Sequence, residues 1–479
     1  MKIDSINIKN FRCFDETEIS FGSKATVFIG KNGTGKSSVI SSLKSGLSFL
    51  FAKNRDFNYN LYTSSNSIIR GFGFWDARFS EIERVFNYPV SIKLNGRFSG
   101  ESLNWSLLKE NSNGKFHSTL YKDAQNIILA HYNQDPQNAE LPLLAFYSDS
   151  YPHILSNVGS VAKELVLKDV IPRDFGYYGW DETTNCMELW LIRYKKVSKY
   201  IRDYNTDLER TEDQIEQFKE KNEDNIAVLN KRLEQLKNDK KIIEFRNELS
   251  FIESKIFKLT EPLREDLAFI NNEFEIVRLL SNNPIESKDD SLEFIFANGS
   301  SIFFEMLPQG YKRIFSIAMD IAYRSYILNK TNDFEGIVFI DELELHLHPT
   351  LQQEILQRLI RTFPNLQFVI TTHSPLVISN MKADGKEFKT IKLKKDDLTY
   401  SKELIDNIFG IDYNTGLIDI MEAQYRSSFI DNLINSYVIL KVRNKNEDAQ
   451  KIWAEIFSIV GEDNQGIKNE INEKIKANR

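Results

Sequence analysis

Apolar positions follow two rhythms along the chain. The opening "MKIDSINIKNF" mixes polar and apolar residues in near alternation, as a half-buried strand does. "ATVFIG" and "ELPLLAFY" (140–147) are short continuous apolar runs and read as buried strands. "SSVISSLKSGLSFLF" follows the first of these runs with helical spacing. "PVSIKLNG" and "ESLNWSLL" read as an antiparallel pair joined near Asn95-Gly96. Residues 151–189 are irregular and aromatic and suggest no element.

From Trp190 to Thr260 the texture changes, and neither glycine nor proline occurs. Val197, Ile201, Tyr204, Leu208, Ile215 and Phe218 recur mostly by four and three. After the polar break 221–225 the rhythm resumes at Ile226, Leu229, Leu233, Leu236 and Ile243. A 3.5-residue period flanked by mixed charges predicts an antiparallel coiled-coil hairpin, roughly 50 Å long at 1.5 Å per residue. The alternative is two ordinary helices on a globular surface. Beyond Pro262 come a hairpin turning at Asn298-Gly299, a long amphipathic helix, the buried strand "GIVFI", a helix from Pro349 and the buried strand "LQFVITTH". This order predicts an α/β fold whose parts 1–189 and 261–400 form one domain around the insertion 190–260, with a helical region at 401–479.

Composition narrows the class. The chain has 479 residues, a formal charge of −7 and two cysteines, Cys13 and Cys186. A disulfide framework and a cysteine zinc site are excluded. No basic domain appears, so DNA contact would need a local patch and is not indicated by charge. No apolar run approaches a membrane span, and no apolar signal region opens the sequence, so a cytoplasmic protein is expected.

The chemistry concentrates in three motifs. "GKNGTGKS" sits between strand and helix and matches G-x-x-x-x-G-K-[ST]. Gly30, Lys31, Asn32, Gly33, Thr34 and Gly35 supply backbone N–H groups to phosphates. Lys36 reaches the terminal phosphate oxygens, the Ser37 hydroxyl ligates Mg²⁺, and Ser38 follows in the first helical turn. "GIVFIDELELHLHP" ends a buried strand in Asp341-Glu342. There a carboxylate can complete the magnesium site, and Glu342 can orient or deprotonate an attacking water. A rival reading gathers Asp341, Glu344, His346 and His348 into a metal cluster. His373 closes the second buried strand, one helix further on, as in a βαβ unit. It could sense a γ-phosphate. A fourth feature is the turn Leu307-Pro308-Gln309-Gly310, a second helix start of the kind that binds phosphate.

In this order the motifs resemble the P-loop ABC-type ATPase heads of the SMC, RecF and OLD group. The resemblance implies a mixed sheet flanked by helices, ATP with Mg²⁺ as ligands, and catalysis by Glu342, His373 and Lys36. It implies magnesium ligation by Ser37 and Asp341. It places Asn10, Phe11 and Arg12 beside the nucleotide. It also implies that Pro308, Gln309 and Gly310, within Leu307–Arg313, cap the γ-phosphate of a second subunit, so that heads self-associate through their ATP sites. "IDELELHLHP", "TTHSP" and "LPQGYKRIFSIAMDIAYR" are most similar to the OLD and RecF-like branch, including ATPase subunits of the anti-phage systems Septu and PARIS. No acidic strand cluster for two metals follows His373, so a nuclease or other effector is expected as a separate chain. The alternatives are a RecF-like DNA-repair ATPase and an SMC-like scaffold for which ATP is a folding ligand. Pro308 departs from the family's usual serine and offers neither hydroxyl nor N–H, which implies weak closure and slow turnover. The family's loop glutamine has two positional candidates, Gln134 and Gln137.

Overall fold

The computed structural model describes residues 1–51, 72–114, 120–135, 138–151, 158–181, 186–219, 226–263, 274–282, 291–330, 334–381, 384–396, 399–405, 409–410, 415–421, 428–461 and 464–477. Its strands run in chain order as β1 (Lys2–Phe11), β2 (Phe14–Ser20), β3 (Ala25–Ile29), β4 (Phe79–Ser80), β5 (Val85–Phe86), β6 (Val90–Phe98), β7 (Glu101–Lys109) and β8 (Leu143–Tyr147). They continue as β9 (Ile276–Asn282), β10 (Ser291–Phe296), β11 (Ser301–Phe303), β12 (Gly336–Ile340), β13 (Leu366–Thr371), β14 (Phe388–Asp396) and β15 (Thr399–Ile405). The helices used below are α1 (Lys36–Leu47), α2 (Lys122–Gln134), α3 (Ser160–Val166), α4 (Cys186–Lys219), α5 (Ile226–Lys237), α6 (Lys240–Thr260), α7 (Gln309–Asn329), α8 (Pro349–Thr362) and α9 (Pro375–Ser379).

The central sheet has the order β15-β14-β3-β13-β12-β8. All its pairs are parallel except the edge pair β14–β15. Every residue of β3, β12 and β13 is buried, which is why these strands read as unbroken apolar runs. Parallel neighbours end on the same side, so the loops after β3, β12 and β13 open at one sheet edge. A second, antiparallel sheet has the order β2-β1-β6-β7. The fully buried Gln367 of β13 ties the two together: its amide oxygen accepts from the Ile3 N–H at 2.7 Å, and its amide nitrogen donates to the Ile3 and Gly22 carbonyls at 2.8 Å each.

The expected hairpin of β6 and β7 is present, but it turns at Ser99-Gly100, both with positive φ. Gly96 lies within β6, where a Cβ would stand 2.5 Å from the Lys2 carbonyl oxygen. Close approach of β1 explains this glycine. The β10–β11 hairpin turns at Asn298-Gly299 as its sequence predicts.

After α4 the return is made by two helices. The Tyr200 hydroxyl donates to Asp239 at 2.7 Å, the Tyr204 hydroxyl to the Leu236 carbonyl at 3.0 Å, and Arg232 pairs with Asp207 at 3.4 Å, an antiparallel register. The tip expected at 221–225 lies outside the described residues. None of the described residues of α5 is buried, whereas α6 buries Ile242, Phe245, Ile252, Ile256 and Leu259. It packs on α7 and α8, so this return leg lies against the head rather than standing clear of it. Arg193 of α4 and Glu248 of α6 form a buried bidentate pair at 2.7 Å.

Residues 151–189, unassigned from sequence, contribute α3 and a 3₁₀ turn at Arg173–Tyr177. Their aromatics enter the core. Around Asp320 of α7 a buried network forms: the Trp190 indole donates at 2.5 Å, the Tyr147 hydroxyl at 2.7 Å and Arg324 at 2.6 Å. Residues 1–411 form one compact unit and 412–479 another. The second has its own core, in which Ile434, Ala449, Ile456 and Ile471 from the helices Ser428–Val442, Asn446–Val460 and Gln465–Ala477 meet. Among the described residues no helix is long and apolar enough to cross a membrane.

Candidate functional site

The loop after β3 needs its glycines. Gly30, Gly33 and Gly35 have φ of 142°, 78° and 102°, values that L side chains rarely adopt. A Cβ on Gly30 would also lie 2.3 Å from the Leu393 carbonyl oxygen. Thr34 closes the loop through its hydroxyl to the Lys31 carbonyl at 2.9 Å. The Lys36 ammonium donates to the Gly30 carbonyl at 2.7 Å and the Lys31 carbonyl at 3.0 Å, so it lies folded over the loop. Burial lowers its pKa, and the nearby carboxylates of Asp341, Glu342 and Glu344 push the other way. Lys31, Asn32 and Gly33 are exposed, so the outer part of the loop faces solvent.

Asn10 and Arg12 flank a left-handed turn, with φ of 52° and 49°. Phe11 between them is fully buried. The Arg12 side chain pairs with Asp76 at 2.8 Å, and the Asn10 amide donates to the Pro89 carbonyl at 3.0 Å. Just beyond this turn, Cys13 and Phe14 press on Gly35, where a Cβ would meet the Phe14 ring at 2.7 Å and the Cys13 sulfur at 2.8 Å. The turn therefore sits against the loop–helix junction. Ser38 is half-buried in the first turn of α1.

At the end of β12 the geometry converges. Asp341 Oδ2 accepts from the Ser37 hydroxyl at 3.1 Å, and Oδ1 accepts a short hydrogen bond from the Thr371 hydroxyl. Glu342 has a φ of 52°. Its carboxylate lies 3.9 Å from His373 Nε2. The phosphate loop, Asp341, Glu342 and His373 thus share one edge, supplied by three adjacent strands. A serine hydroxyl touching an aspartate carboxylate, both outside the fully buried core, is a donor set suited to a hard cation that keeps several waters. The residues fit Mg²⁺.

The rival cluster does not assemble. Among the described residues no group of three His, Cys, Asp or Glu side chains could hold a metal. The reason is local: 341–348 is a turn rather than a strand, so His346 and His348 do not share the single face that a strand would give them. Glu344 accepts from the Thr372 hydroxyl and the His373 N–H, both at 2.6 Å, and His348 caps α8 by accepting from the Thr350 N–H at 3.4 Å.

Helix α7 starts after Pro308, whose φ of −53° and ψ of 145° set the entry; no side chain caps it. Gln309 is exposed there, while Gly310 is buried. A Cβ on Gly310 would lie 2.3 Å from the His346 carbonyl oxygen. A cavity of about 530 Å³ opens beside this contact, lined by Pro308, Gly310, Tyr311, His346 and His348 among others. The far end of the expected trans-acting segment is engaged at home. The buried Arg313 donates to the Asp341 carbonyl at 2.7 Å and to the Ser148 and Asp149 carbonyls at 3.1 Å each. Lys312 donates to the Glu305 carbonyl at 3.0 Å. Gln134 ends α2 and is exposed, and Gln137 lies outside the described residues. β8, beside β12, ends at Tyr147 and is followed by Ser148-Asp149.

Residues 1–378 match the family described as the AAA ATPase domain. The chain is 27% identical over 474 residues to the Retron Vc95 probable ATPase of Vibrio cholerae, covering 94% of this chain and 85% of that one. It is 39% identical over 133 residues to the Septu protein PtuA of Bacillus mycoides, covering 26% of this chain and 18% of PtuA. Among solved structures, the Smc head domain of Pyrococcus furiosus with an extended coiled coil, bound to the C-terminal domain of ScpA, aligns at 15% identity. The alignment spans 85% of this chain and 97% of that one, with a TM-score of 0.40.

Proposed function

The chain belongs to the AAA ATPase domain family, and from that premise we propose that it hydrolyses ATP between two copies of itself and thereby controls a separate effector protein, a nuclease, in the cytoplasmic anti-phage defence of a bacterium. Relatives named as a retron ATPase and a Septu protein support the defence setting. The observation that carries the enzymatic half is the convergence of Lys36, Ser37, Asp341, Glu342 and His373 at one edge of a parallel sheet.

In this mechanism the N–H groups of Gly30–Ser37 and the Lys36 ammonium hold the β- and γ-phosphates. Ser37 and Asp341 would hold Mg²⁺, which would neutralise phosphate charge when bound. Glu342 accepts a proton from the attacking water as the new oxygen–phosphorus bond forms and ADP leaves. His373, beside Glu342, donates to the γ-phosphate and registers its departure. Pro308, Gln309 and Gly310 of a second copy close the site with the α7 N-terminus. Pro308 brings no hydroxyl, and this closure is accordingly weak and turnover slow.

Glu342→Gln is the test. It should keep ATP binding, lower turnover by roughly 10²-fold or more, and accumulate an ATP-bound dimer in light scattering. Wild-type turnover would remove Glu342 from the reaction. Full biological function of the dead variant would favour a scaffold, and tight DNA binding by the isolated chain a RecF-like repair role.

A further inference from the structure

We propose that Thr371 is a positioning residue for hydrolysis, with Glu344 completing the same clamp; this rests on the ATPase reading above. Thr371 is the last residue of β13 and is fully buried. It holds three consecutive residues of the turn that follows β12. Its hydroxyl donates to Asp341 Oδ1 and accepts from the Glu342 N–H at 2.9 Å, and its carbonyl accepts from the Leu343 N–H at 3.2 Å. A hydroxyl has one proton and two lone pairs, so it can donate to one neighbour while accepting from the next.

The next residues extend the pattern. Both carboxylate oxygens of Glu344 are engaged, one by the Thr372 hydroxyl and one by the His373 N–H. The turn 341–344 is therefore joined step by step to 371–373. This connection matters because Glu342 sits at a φ of 52°. A glutamate holds the left-handed region only where its surroundings over-determine it. The Thr371 oxygen on the Glu342 N–H is that determinant. It aims the carboxylate, while Glu344 fixes the backbone from which His373 projects. The 3.9 Å separation of Glu342 from His373 follows from these two contacts. Neither Thr371 nor Glu344 needs to touch the nucleotide.

Replacement by valine keeps the buried shape of Thr371 and deletes only the hydroxyl; serine keeps the hydroxyl. Steady-state hydrolysis, binding of a fluorescent ATP analogue and thermal melting should be measured for Thr371→Val, Thr371→Ser and Glu344→Gln. Misplacing a catalytic group by about 1 Å costs on the order of a hundredfold. Thr371→Val should therefore lose roughly ten- to a hundredfold in kcat, with analogue affinity within about threefold of wild type. Thr371→Ser should stay within about threefold in kcat. Glu344 is partly exposed, so Glu344→Gln should fold even if the valine variant melts early. It should lower kcat without weakening binding, because an amide oxygen can accept only one of the two hydrogen bonds and the amide nitrogen cannot accept the other. Full turnover in Thr371→Val, an equal loss in Thr371→Ser, or loss of analogue binding in step with kcat would overturn the clamp. Lys36→Ala separates the two levels. If it is inactive while Thr371→Val is unimpaired, only the clamp falls; if wild-type turnover survives it, the ATPase reading falls as well.

Discussion

Gly310→Ala sets two physical effects against each other at the start of α7. Alanine is the better helix former by about 0.5–1 kcal/mol, so propensity alone predicts stabilisation. The structure predicts the opposite. The new methyl would stand 2.3 Å from the His346 carbonyl oxygen and 3.0 Å from its carbon. Those are backbone atoms, and they cannot swing aside. The His346 turn is pinned on both sides, by the Leu345 N–H to the Glu342 carbonyl at 3.1 Å and the Leu347 N–H to the Glu344 carbonyl at 3.0 Å. Overpacking of this kind costs about 1–3 kcal/mol. Over most of these ranges the clash wins, leaving a net destabilisation of about 0–2.5 kcal/mol. For a unit as large as residues 1–411, that shifts Tm by only about 1–2 °C. Activity is the sharper assay, because the displaced turn continues into Glu342. ATPase rate and ATP-dependent association should both fall clearly more than the melting shift explains. A raised Tm with unchanged hydrolysis would refute the argument and show that α7 and the His346 turn do not touch as described.

Lys36→Ala should abolish ATP binding in a calorimetric titration while leaving the fold intact, since the ammonium contacts loop carbonyls rather than core side chains; unchanged affinity would exclude Lys36 from the phosphate site. Pro308→Ser restores a hydroxyl at the uncapped start of α7. One hydrogen bond to a charged group contributes about 1.5–3 kcal/mol, so ATP-dependent association should tighten roughly tenfold or more and the ATPase rate should rise. A fall in both would make the proline structural, a pre-ordered helix entry.

The parts of this molecule legible in its sequence are those where backbone chemistry forces residue type. Positive φ at Gly30, Gly33 and Gly35 leaves a glycine pattern. Burial on both faces turns β3, β12 and β13 into apolar runs. A heptad-like rhythm marks α4 and its return, yet the same rhythm cannot say what the apolar stripe meets. In α6 it meets α7 and α8 of the same head. Glycine is ambiguous in the same way: Asn95-Gly96 has the composition of a turn, but Gly96 answers to the Lys2 carbonyl of a strand some ninety residues earlier.

The site separates along the same line. Asp341, Glu342 and His373 could be singled out because strand ends in an α/β sheet converge on one edge. What holds them could not. Arg313 reads as one charged residue in an amphipathic helix, and its acceptors are the carbonyls of residues 148, 149 and 341, which have no side-chain signature. Thr371 reads as a β-branched strand residue, and its acceptor function is to a backbone N–H. Glu344 looked like a metal ligand until Thr372 and the His373 N–H occupied its oxygens. Through Arg313, the helix that would meet a second subunit is bonded to the carbonyl of Asp341, the carboxylate that would hold magnesium. A displacement of α7, were two copies to close on each other, would therefore reach the end of β12 through this hydrogen-bonded side chain. Arg313 is a fully buried cation whose partners sequence alone cannot name.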